Sequence, residues 1–234
     1  DGDCGDDCTC KEKPESQEAP AAELASMSEE EFAASVHETR KYLKDLTHEK
    51  EYEELKITHT TEHTRAYIKV QDGCNQFCSY CIIPYARGRV RSRSPEDIRR
   101  ELEVLADKGY KEVVLVGINL TAYGQDTRLT IADAVEAACA VPGLFRVRLG
   151  SLEPDFMTEE ILTRLAAQPK LCPQFHVALQ SGCDATLKRM NRHYTTAAFA
   201  ALCARLRQLF PGCALTTDIM VGFPGETEEE FAQS

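Results

Sequence analysis

The sequence predicts an α/β fold built on a parallel β-sheet, and two observations support this prediction. From residue 65 onward, short apolar runs typical of buried strands alternate with amphipathic helical segments, which gives five β–α units. Each predicted strand is followed by a loop with glycine or serine, in chain order QDGC, GINL, GSLEP, QSGC and GFPGET. These loops lie at the carboxyl ends of the strands, where parallel sheets form their binding sites.

The individual elements follow from local patterns. The predicted strands are 65–70, 112–117, 145–150, 175–180 and 214–222. GETEEEF begins a helix after the last strand, and the other predicted helices are 94–110, 130–140, 158–168, 184–191 and 196–209. In the first of these helices, Ser94 is the candidate N-cap, Pro95 fits the first turn and Gly109 fits the C-terminal stop.

Residues 1–60 differ in composition from the rest of the chain. They carry 17 acidic and 7 basic side chains, whereas residues 61–234 carry 21 acidic and 20 basic side chains. We therefore predict an acidic linker over 1–60 that is mostly disordered, with one helix from the capping box of Ser28 and Glu31 to about Leu46. Because the acidity lies in this segment, the net charge of −11 does not exclude an anionic partner.

The sequence predicts a cytoplasmic protein with no membrane association. No apolar run approaches the ~20 residues that span a bilayer, and the acidic N-terminal segment does not resemble a signal peptide. Thiols stay reduced in the cytosol, so the eleven cysteines do not predict a disulfide framework, in agreement with their odd number.

Three of these cysteines, Cys74, Cys78 and Cys81, lie together in CNQFCSYC after the first predicted strand. Structural zinc sites use four ligands, usually as two C-x2-C pairs, and no second pair follows at zinc spacing. Packing of three apolar cysteines is a further alternative, which the polar loop disfavours. Thiolates suit a [4Fe–4S] cluster, and three of them leave one of four irons free for a chelating ligand. The spacing therefore favours the cluster.

This C-x3-C-x2-C motif, with an aromatic residue before its last cysteine, resembles the radical S-adenosyl-L-methionine (SAM) superfamily. Further stretches are similar to the radical SAM methylthiotransferases, and they are 63–93, 116–124 (VGINLTAYG), 149–154 (LGSLEP), 175–195 and 221–231. The resemblance covers about residues 61–234. It implies a partial (β/α)6-type radical SAM barrel with parallel strands, incomplete at its C-terminus and truncated near the fifth or sixth unit.

The resemblance also implies an activity. In the superfamily the free iron binds SAM, and electron transfer from the cluster yields a 5′-deoxyadenosyl radical. HTRAYIKVQDGCNQFC, LGSLEP and NRHYT look most like the branch that converts N6-threonylcarbamoyladenosine (t6A) at tRNA position 37 to ms2t6A. Alternatives are the ms2i6A-forming branch, a ribosomal-protein methylthiotransferase and, from a different class, a non-catalytic Fe–S or zinc scaffold that binds RNA. The implied partners are the tRNA anticodon loop and an electron donor such as flavodoxin or ferredoxin.

The same resemblance implies roles for individual residues. The cluster ligands are Cys74, Cys78 and Cys81. The SAM pocket contains Tyr80, Gly117, Asn119, Ser151, Glu153, Gln180, Ser181 and Gly222. A simple turn remains the alternative for Gly117 and Gly222, and loop capping remains the alternative for Gln180 and Ser181. No acid–base pair is implied as catalytic.

Four arginines follow the cysteine motif, at Arg87, Arg89, Arg91 and Arg93. If this segment is extended, alternate residues share one side, and arginines on one face suit phosphate contact. We therefore predict that they bind RNA. The alternatives are a solvated loop that pairs with Glu96 and Asp97, or contact of one arginine with the SAM carboxylate.

The family also carries an N-terminal domain with a second [4Fe–4S] cluster and usually a C-terminal RNA-binding barrel, and neither is visible in this sequence. We read Cys4, Cys8 and Cys10 as linker thiols, because no predicted element positions them. The remaining cysteines are expected to be small core residues. We therefore expect the chain alone to bind one cluster and SAM without completing methylthiolation.

Overall fold

The computed structural model describes Ser28, Glu49, Tyr52 and residues 65–234. Apart from those three residues, the predicted acidic linker over 1–60 and its helix lie outside the described residues, as do Cys4, Cys8 and Cys10. Within the described part, no helix combines the length and the apolar character required to cross a membrane.

The strands of the described residues form two short sheets that are almost entirely parallel. They are β1 (Ala66–Asp72), β2 (Arg91–Ser92), β3 (Glu112–Gly117), β4 (Arg146–Leu149), β5 (Ser151–Leu152), β6 (Gln174–Val177) and β7 (Ala214–Thr216). The strand order is β2-β1-β3-β4 in one sheet and β5-β6-β7 in the other. Among these strands, β2 pairs antiparallel with β1, and the other neighbouring strands are parallel.

The two sheets join into one curved surface. Only Gly150 separates β4 from β5, and Val147 of β4 forms a parallel bridge with Leu171 before β6. The backbone of Val147 accepts from Cys172 at 2.9 Å and donates to Lys170 at 2.9 Å. This curvature confirms the predicted partial barrel.

Helices cover the barrel and connect its strands. They are α1 (Ile83–Ala86), α2 (Pro95–Asp107), α3 (Ile131–Cys139), α4 (Glu159–Ala166), α5 (Asp184–Arg189), α6 (Thr196–Leu209) and α7 (Glu228–Phe231), with 3-10 turns at Leu120–Ala122 and Pro154–Phe156. The predicted N-cap of α2 is confirmed, because the Ser94 side chain accepts from the N–H of Asp97. Thr158 and Thr195 cap α4 and α6 in the same way.

The core lies between the sheets and the long helices. Ile68 of β1, Leu115 of β3, Leu102 of α2 and Leu165 of α4 are essentially inaccessible to solvent. Burial of each such side chain contributes roughly 1.5–3 kcal/mol. The expected core cysteines are buried or nearly so, and they are Cys139, Cys172, Cys183, Cys203 and the partly buried Cys213.

Three predicted strands are shorter or more broken than the sequence pattern indicates. The predicted strand 145–150 stops at Gly150, which separates β4 from β5. The predicted strand 175–180 ends at Val177, and Gln180 beyond it has φ of +66°. The predicted strand 214–222 ends at Thr216, and beyond it Ile219 forms an isolated bridge with Gln180.

Candidate functional site

The loop after β1, residues 73–82, carries three cysteines and is called here the cysteine loop. Its first turn requires glycine, because Gly73 has φ of +69° and a side-chain carbon there would collide with the carbonyl of Arg89. The N–H of Cys74 donates to the carbonyl of Gly88 at 3.1 Å. The loop therefore folds back against the chain before β2, with Cys74 just beyond the carboxyl end of β1.

The three thiols of this loop differ in exposure. Cys74 is buried, whereas Cys78 and Cys81 are partly exposed. The Sγ of Cys74 lies 3.5 Å from the backbone N of Gln76 and 3.9 Å from Nδ2 of Asn119. Burial raises the pKa of the Cys74 thiol, the two donors oppose this rise, and the neighbouring Cys78 and Cys81 add to it.

Gln71 fixes the position of the cysteine loop against β3. This side chain is fully buried, and its Nε2 donates to the carbonyls of Asp72 and Gly73 at 2.7 Å each. Its Oε1 accepts from the N–H of Asn119 at 2.8 Å. A side chain at Gly117 would lie 2.8 Å from that same Oε1, so it would push Gln71 out of this position.

A second segment, residues 189–193, packs directly on the cysteine loop and is called here the clamp segment. The N–H of Ser79 donates to the carbonyl of Met190 at 3.0 Å. The Nδ2 of Asn191 donates to the carbonyl of Phe77 at 2.9 Å. Asn191 and Phe77 have φ of +56° and +52°, so both sides of this contact contain a left-handed turn.

Arg192 of the clamp segment reaches a cysteine side chain. Its side chain is only 6% exposed, and Nη1 donates to the Sγ of Cys78 at 3.2 Å. Its Nη2 lies 2.8 Å from Oε2 of Glu153, and its Nε donates to the hydroxyl of Tyr194 at 3.0 Å. Burial disfavours the charge, but the pKa of Arg192 still lies above its ordinary value because of Glu153. Burial raises the pKa of Glu153, and Arg192 opposes this rise.

A pocket of about 180 Å³ opens beside the cysteine loop. It is lined by Asn75, Gln76, Asn119, Ala122, Gln125, Phe156 and His193. Gln76 is held in place at its rim, since Nε2 donates to Asp155 at 2.8 Å and Oε1 lies 2.5 Å from Nδ1 of His193. The cysteine loop, the turn after β3 and the clamp segment therefore border one cavity.

The donor set at this site fits an iron–sulfur cluster better than a single ion. Within residues 65–234, no three His, Cys, Asp or Glu side chains are grouped closely enough to hold one metal ion. Cys74, Cys78 and Cys81 offer sulfur only, and two of these sulfurs receive N–H donors. A [4Fe–4S] cluster binds each thiolate through a separate iron, which spaces its ligands more widely than a zinc ion does.

Comparison with known families decides between the remaining interpretations. Residues 68–234 match the family model described as the Radical SAM superfamily. The chain belongs to the radical SAM superfamily. This membership confirms the predicted fold class and the predicted cofactor pair, a [4Fe–4S] cluster and SAM.

Several curated relatives of this radical SAM chain are tRNA-modifying enzymes. The threonylcarbamoyladenosine tRNA methylthiotransferase MtaB of Bacillus subtilis is 44% identical over 78% of the chain and 41% of that protein. The MtaB of Chlamydia pneumoniae is 41% identical over 87% of the chain and 51% of that protein. The tRNA-2-methylthio-N(6)-dimethylallyladenosine synthase of Clostridium botulinum (strain Loch Maree) is 44% identical over 73% of the chain and 38% of that protein. The chain thus spans about half or less of each relative, and the resemblance to methylthiotransferases is confirmed.

Solved structures support the fold at lower sequence identity. The radical SAM methyltransferase TsrM of Kitasatospora setae aligns with a TM-score of 0.58 at 23% identity, over 70% of this chain and 32% of that protein. Methylornithine synthase (PylB) aligns with a TM-score of 0.50 at 18% identity, over 73% of this chain and 48% of that protein. Both similarities concern the barrel fold.

Some residues predicted to form the SAM pocket lie around the cysteine loop of this radical SAM domain. Gly117 and Asn119 contact Gln71 at the end of β3, and Glu153 pairs with Arg192. Tyr80 is exposed, and its ring packs edge-to-face on Phe223 at 6.0 Å. These residues are placed beside the candidate ligands, and their contact with SAM remains a prediction.

The other predicted SAM-pocket residues lie in turns and at strand ends, and Gln180 also bridges to the chain beyond β7 through the carbonyl of Asp218 at 2.9 Å and the N–H of Met220 at 2.8 Å. Ser181 is fully buried, and its hydroxyl accepts from the N–H of Cys183 at 3.2 Å, as a loop cap does. Gln180 and Gly222 have φ of +66° and +69°. Ser151 is exposed within β5. These contacts match the turn and capping alternatives, and a SAM contact remains a prediction.

The four arginines do not share one exposed face, which corrects the geometric basis of the RNA prediction. Arg91 and Arg93 are buried, and they pair with Asp72 and Glu101 because the chain folds β2 back along β1. Arg87 is partly exposed and also binds Asp72, with Nη2 to Oδ2 at 2.8 Å. Arg89 is exposed and lies over an aromatic ring.

The structure adds residues to the site that sequence reasoning did not assign. They are Gln71, Gln76, Asp155, Asn191 and Arg192. Arg192 and Cys78 are 114 positions apart, and no motif spacing links them. The stretch 175–195 that carried the family resemblance contains Arg192, and this was the one available signal.

Proposed function

We propose that this chain is the radical SAM catalytic core of a tRNA methylthiotransferase that converts t6A37 to ms2t6A. The observation that carries the proposal is the cysteine loop held by the clamp segment, in a chain 44% identical to a threonylcarbamoyladenosine tRNA methylthiotransferase. The proposed cluster ligands are Cys74, Cys78 and Cys81. The proposal covers the whole enzyme, of which this chain supplies one domain.

The chain's own residues would bind, orient and shield the cofactors. When bound, the cluster and SAM supply the radical chemistry at C2 of the adenine. Gln71 and Asn191 hold the loop backbone, and Asn119 and Arg192 direct N–H groups at the cysteine sulfurs. Hydrogen bonds to the sulfurs and low solvent exposure are what tune such clusters. No residue of the chain is proposed as a general acid or base.

The surface beside the cysteine loop supports contact with RNA. The guanidinium of Arg89 lies 4.6 Å from the ring centre of Phe77, which packs edge-to-face on Tyr85 at 5.5 Å. Tyr85 and Ile82 are each 69% exposed. Exposed aromatic rings next to arginine suit unpaired bases and phosphates. Arg89 is therefore the leading candidate for phosphate contact, with Arg87 beside it.

The ms2i6A-forming reaction is the second candidate, because a relative with that activity is equally similar at 44% identity. Both reactions use the same cofactors and differ in the group on N6 of adenosine. We propose a cytoplasmic enzyme that takes electrons from a flavodoxin or ferredoxin.

The full enzyme that contains this core decides between the two substrates. It is expressed in a host that lacks its own methylthiotransferases but makes t6A and i6A, and tRNA nucleosides are measured by mass spectrometry. The proposal expects ms2t6A, which a Cys78→Ser variant loses and a Cys213→Ser control retains. Formation of ms2i6A alone would replace it with the second candidate, and neither product would reject both.

A further inference from the structure

Arg192 is a buried cation placed directly against one of the proposed cluster ligands. Its Nη1 is 3.2 Å from the Sγ of Cys78. Its guanidinium also lies over the ring of Tyr194, with 5.2 Å to the ring centre. The Tyr194 hydroxyl in turn donates to the carbonyls of Ala178 and Leu179 at 3.0 and 2.9 Å. Arg192 is thus held by the barrel rather than free to turn into solvent.

Glu153 provides the opposing charge. Its side chain is 19% exposed, and Oε2 lies 2.8 Å from Nη2 of Arg192. Other arginines near the cysteine loop are engaged differently, because Arg91 and Arg93 pair with Asp72 and Glu101. The Cys78–Arg192–Glu153 row therefore places a positive charge next to the sulfur and a negative charge behind it.

We propose that Arg192 is a positioning residue that raises the reduction potential of the cluster bound by Cys74, Cys78 and Cys81, and that Glu153 limits this rise. The inference rests on the proposed function for the presence of the cluster. The reduced cluster carries one more negative charge than the oxidised cluster. An N–H donor and a positive charge at the Cys78 sulfur stabilise the reduced form, and a nearby carboxylate destabilises it.

The oxidised cluster takes one electron from a low-potential one-electron reductant, and no bond forms or breaks at Arg192. Because both groups are poorly hydrated, their charges act on the cluster with less screening than surface charges. Removing each charge separately should therefore shift the potential in opposite directions.

The test is an anaerobic redox titration of the reconstituted chain without SAM, followed by EPR of the reduced cluster. Arg192→Met should give at least a tenfold lower ratio of reduced to oxidised cluster at a fixed potential, which is about 59 mV for one electron. Arg192→Lys should give a smaller decrease, because the charge stays but the donor geometry is lost. Glu153→Gln should increase the ratio. Arg164→Met is the matched control, because Arg164 pairs with Asp133 and Glu136 and contacts no cysteine in the described chain, and it should leave the potential unchanged.

The outcomes separate this inference from the proposed function. If the wild-type chain binds no iron, the proposed function fails. If the cluster forms and Arg192→Met and Glu153→Gln shift the potential the same way, or not at all, the inference is wrong. If Arg192→Met does not retain iron, Arg192→Lys and Glu153→Gln decide, because opposite shifts support the inference and any other pair of results overturns it.

Discussion

At the residue scale, the cysteine loop depends on positions where the backbone leaves no room for a side chain. Gly73 combines a left-handed φ with close approach to the carbonyl of Arg89. Gly117 lets Gln71 pass close to the end of β3. These two glycines bring the carboxyl ends of β1 and β3 together, and this puts Asn119 beside Cys74.

Gly73→Ala should therefore destabilise the protein strongly. The substitution meets both an unfavourable φ and the carbonyl of Arg89, so we expect a loss of at least about 3 kcal/mol of unfolding free energy. Gly212→Ala is the matched control, since φ is +75° and nothing lies within 4 Å, and it should cost about 1 kcal/mol. Urea unfolding measures both, and equal losses would show that the close approach is not as described.

Arg89 supports a second residue-scale prediction. Arg89→Ala should weaken binding of an anticodon stem-loop and reduce the slope of affinity against salt by about one counterion. Arg205 lies on α6 and pairs with Glu159 of α4. Arg205→Ala should therefore change neither the affinity nor its salt dependence. Binding titrations at several salt concentrations test this. An unchanged slope for Arg89→Ala would remove Arg89 from the RNA surface.

The spacing of the three cysteines predicted them as cluster ligands, because all of them belong to one loop. It could not predict Arg192, whose contact with Cys78 depends on how α5 returns to the loop. It also misjudged Arg91 and Arg93, since alternate spacing describes the side of an extended chain and not what covers that side. Pairing of β2 with β1 turns these two arginines toward buried carboxylates.

At the element scale, β3 and β4 are joined by a carboxylate as well as by backbone pairing. Glu112 on β3 accepts from Arg146 and Arg148 on β4, at 2.6 Å each. Hydrogen bonding from Arg148 holds the pKa of Glu112 below its ordinary value, partial burial opposes this, and Arg146 supports it. A depressed carboxylate pKa means that the ion pair stabilises the fold above the unfolded pKa of about 4.3.

Glu112→Gln should reduce the unfolding free energy by about 1 kcal/mol at pH 7. The difference from wild type should shrink as the pH falls below about 4.3 and disappear once Glu112 is protonated in the folded protein. Glu103→Gln on α2, which breaks an exposed pair with Arg99, should cost less than half as much. Urea unfolding across pH measures this, and a difference that grows in acid would contradict it.

Long periodic elements were predictable, whereas short ones were not. The capping pattern of α2 and the apolar run of β3 encode these elements locally, and both were found close to the predicted residues. Two-residue β2 and four-residue α1 contain too little sequence to carry a pattern. Their structure depends on the cysteine loop and on pairing with β1.

At the scale of the whole molecule, the curved parallel sheet gathers distant parts of the chain at one edge. The cysteine loop after β1, the turn after β3 and the clamp segment after α5 meet there. The alternation of strands and helices predicted this arrangement, because parallel strands share one carboxyl edge. The contacts within it depend on side chains from different units, which no single stretch encodes.

The most direct test of the account is iron and sulfide analysis of the anaerobically reconstituted chain, with EPR of the reduced protein before and after SAM is added. We predict about four irons and four sulfides per chain and a reduced signal that changes with SAM, because three thiolates leave one iron free. Cys74→Ser, Cys78→Ser and Cys81→Ser should each lose this signal. Zinc in place of iron, or a signal that SAM does not change, would contradict the account and leave a metal-binding scaffold.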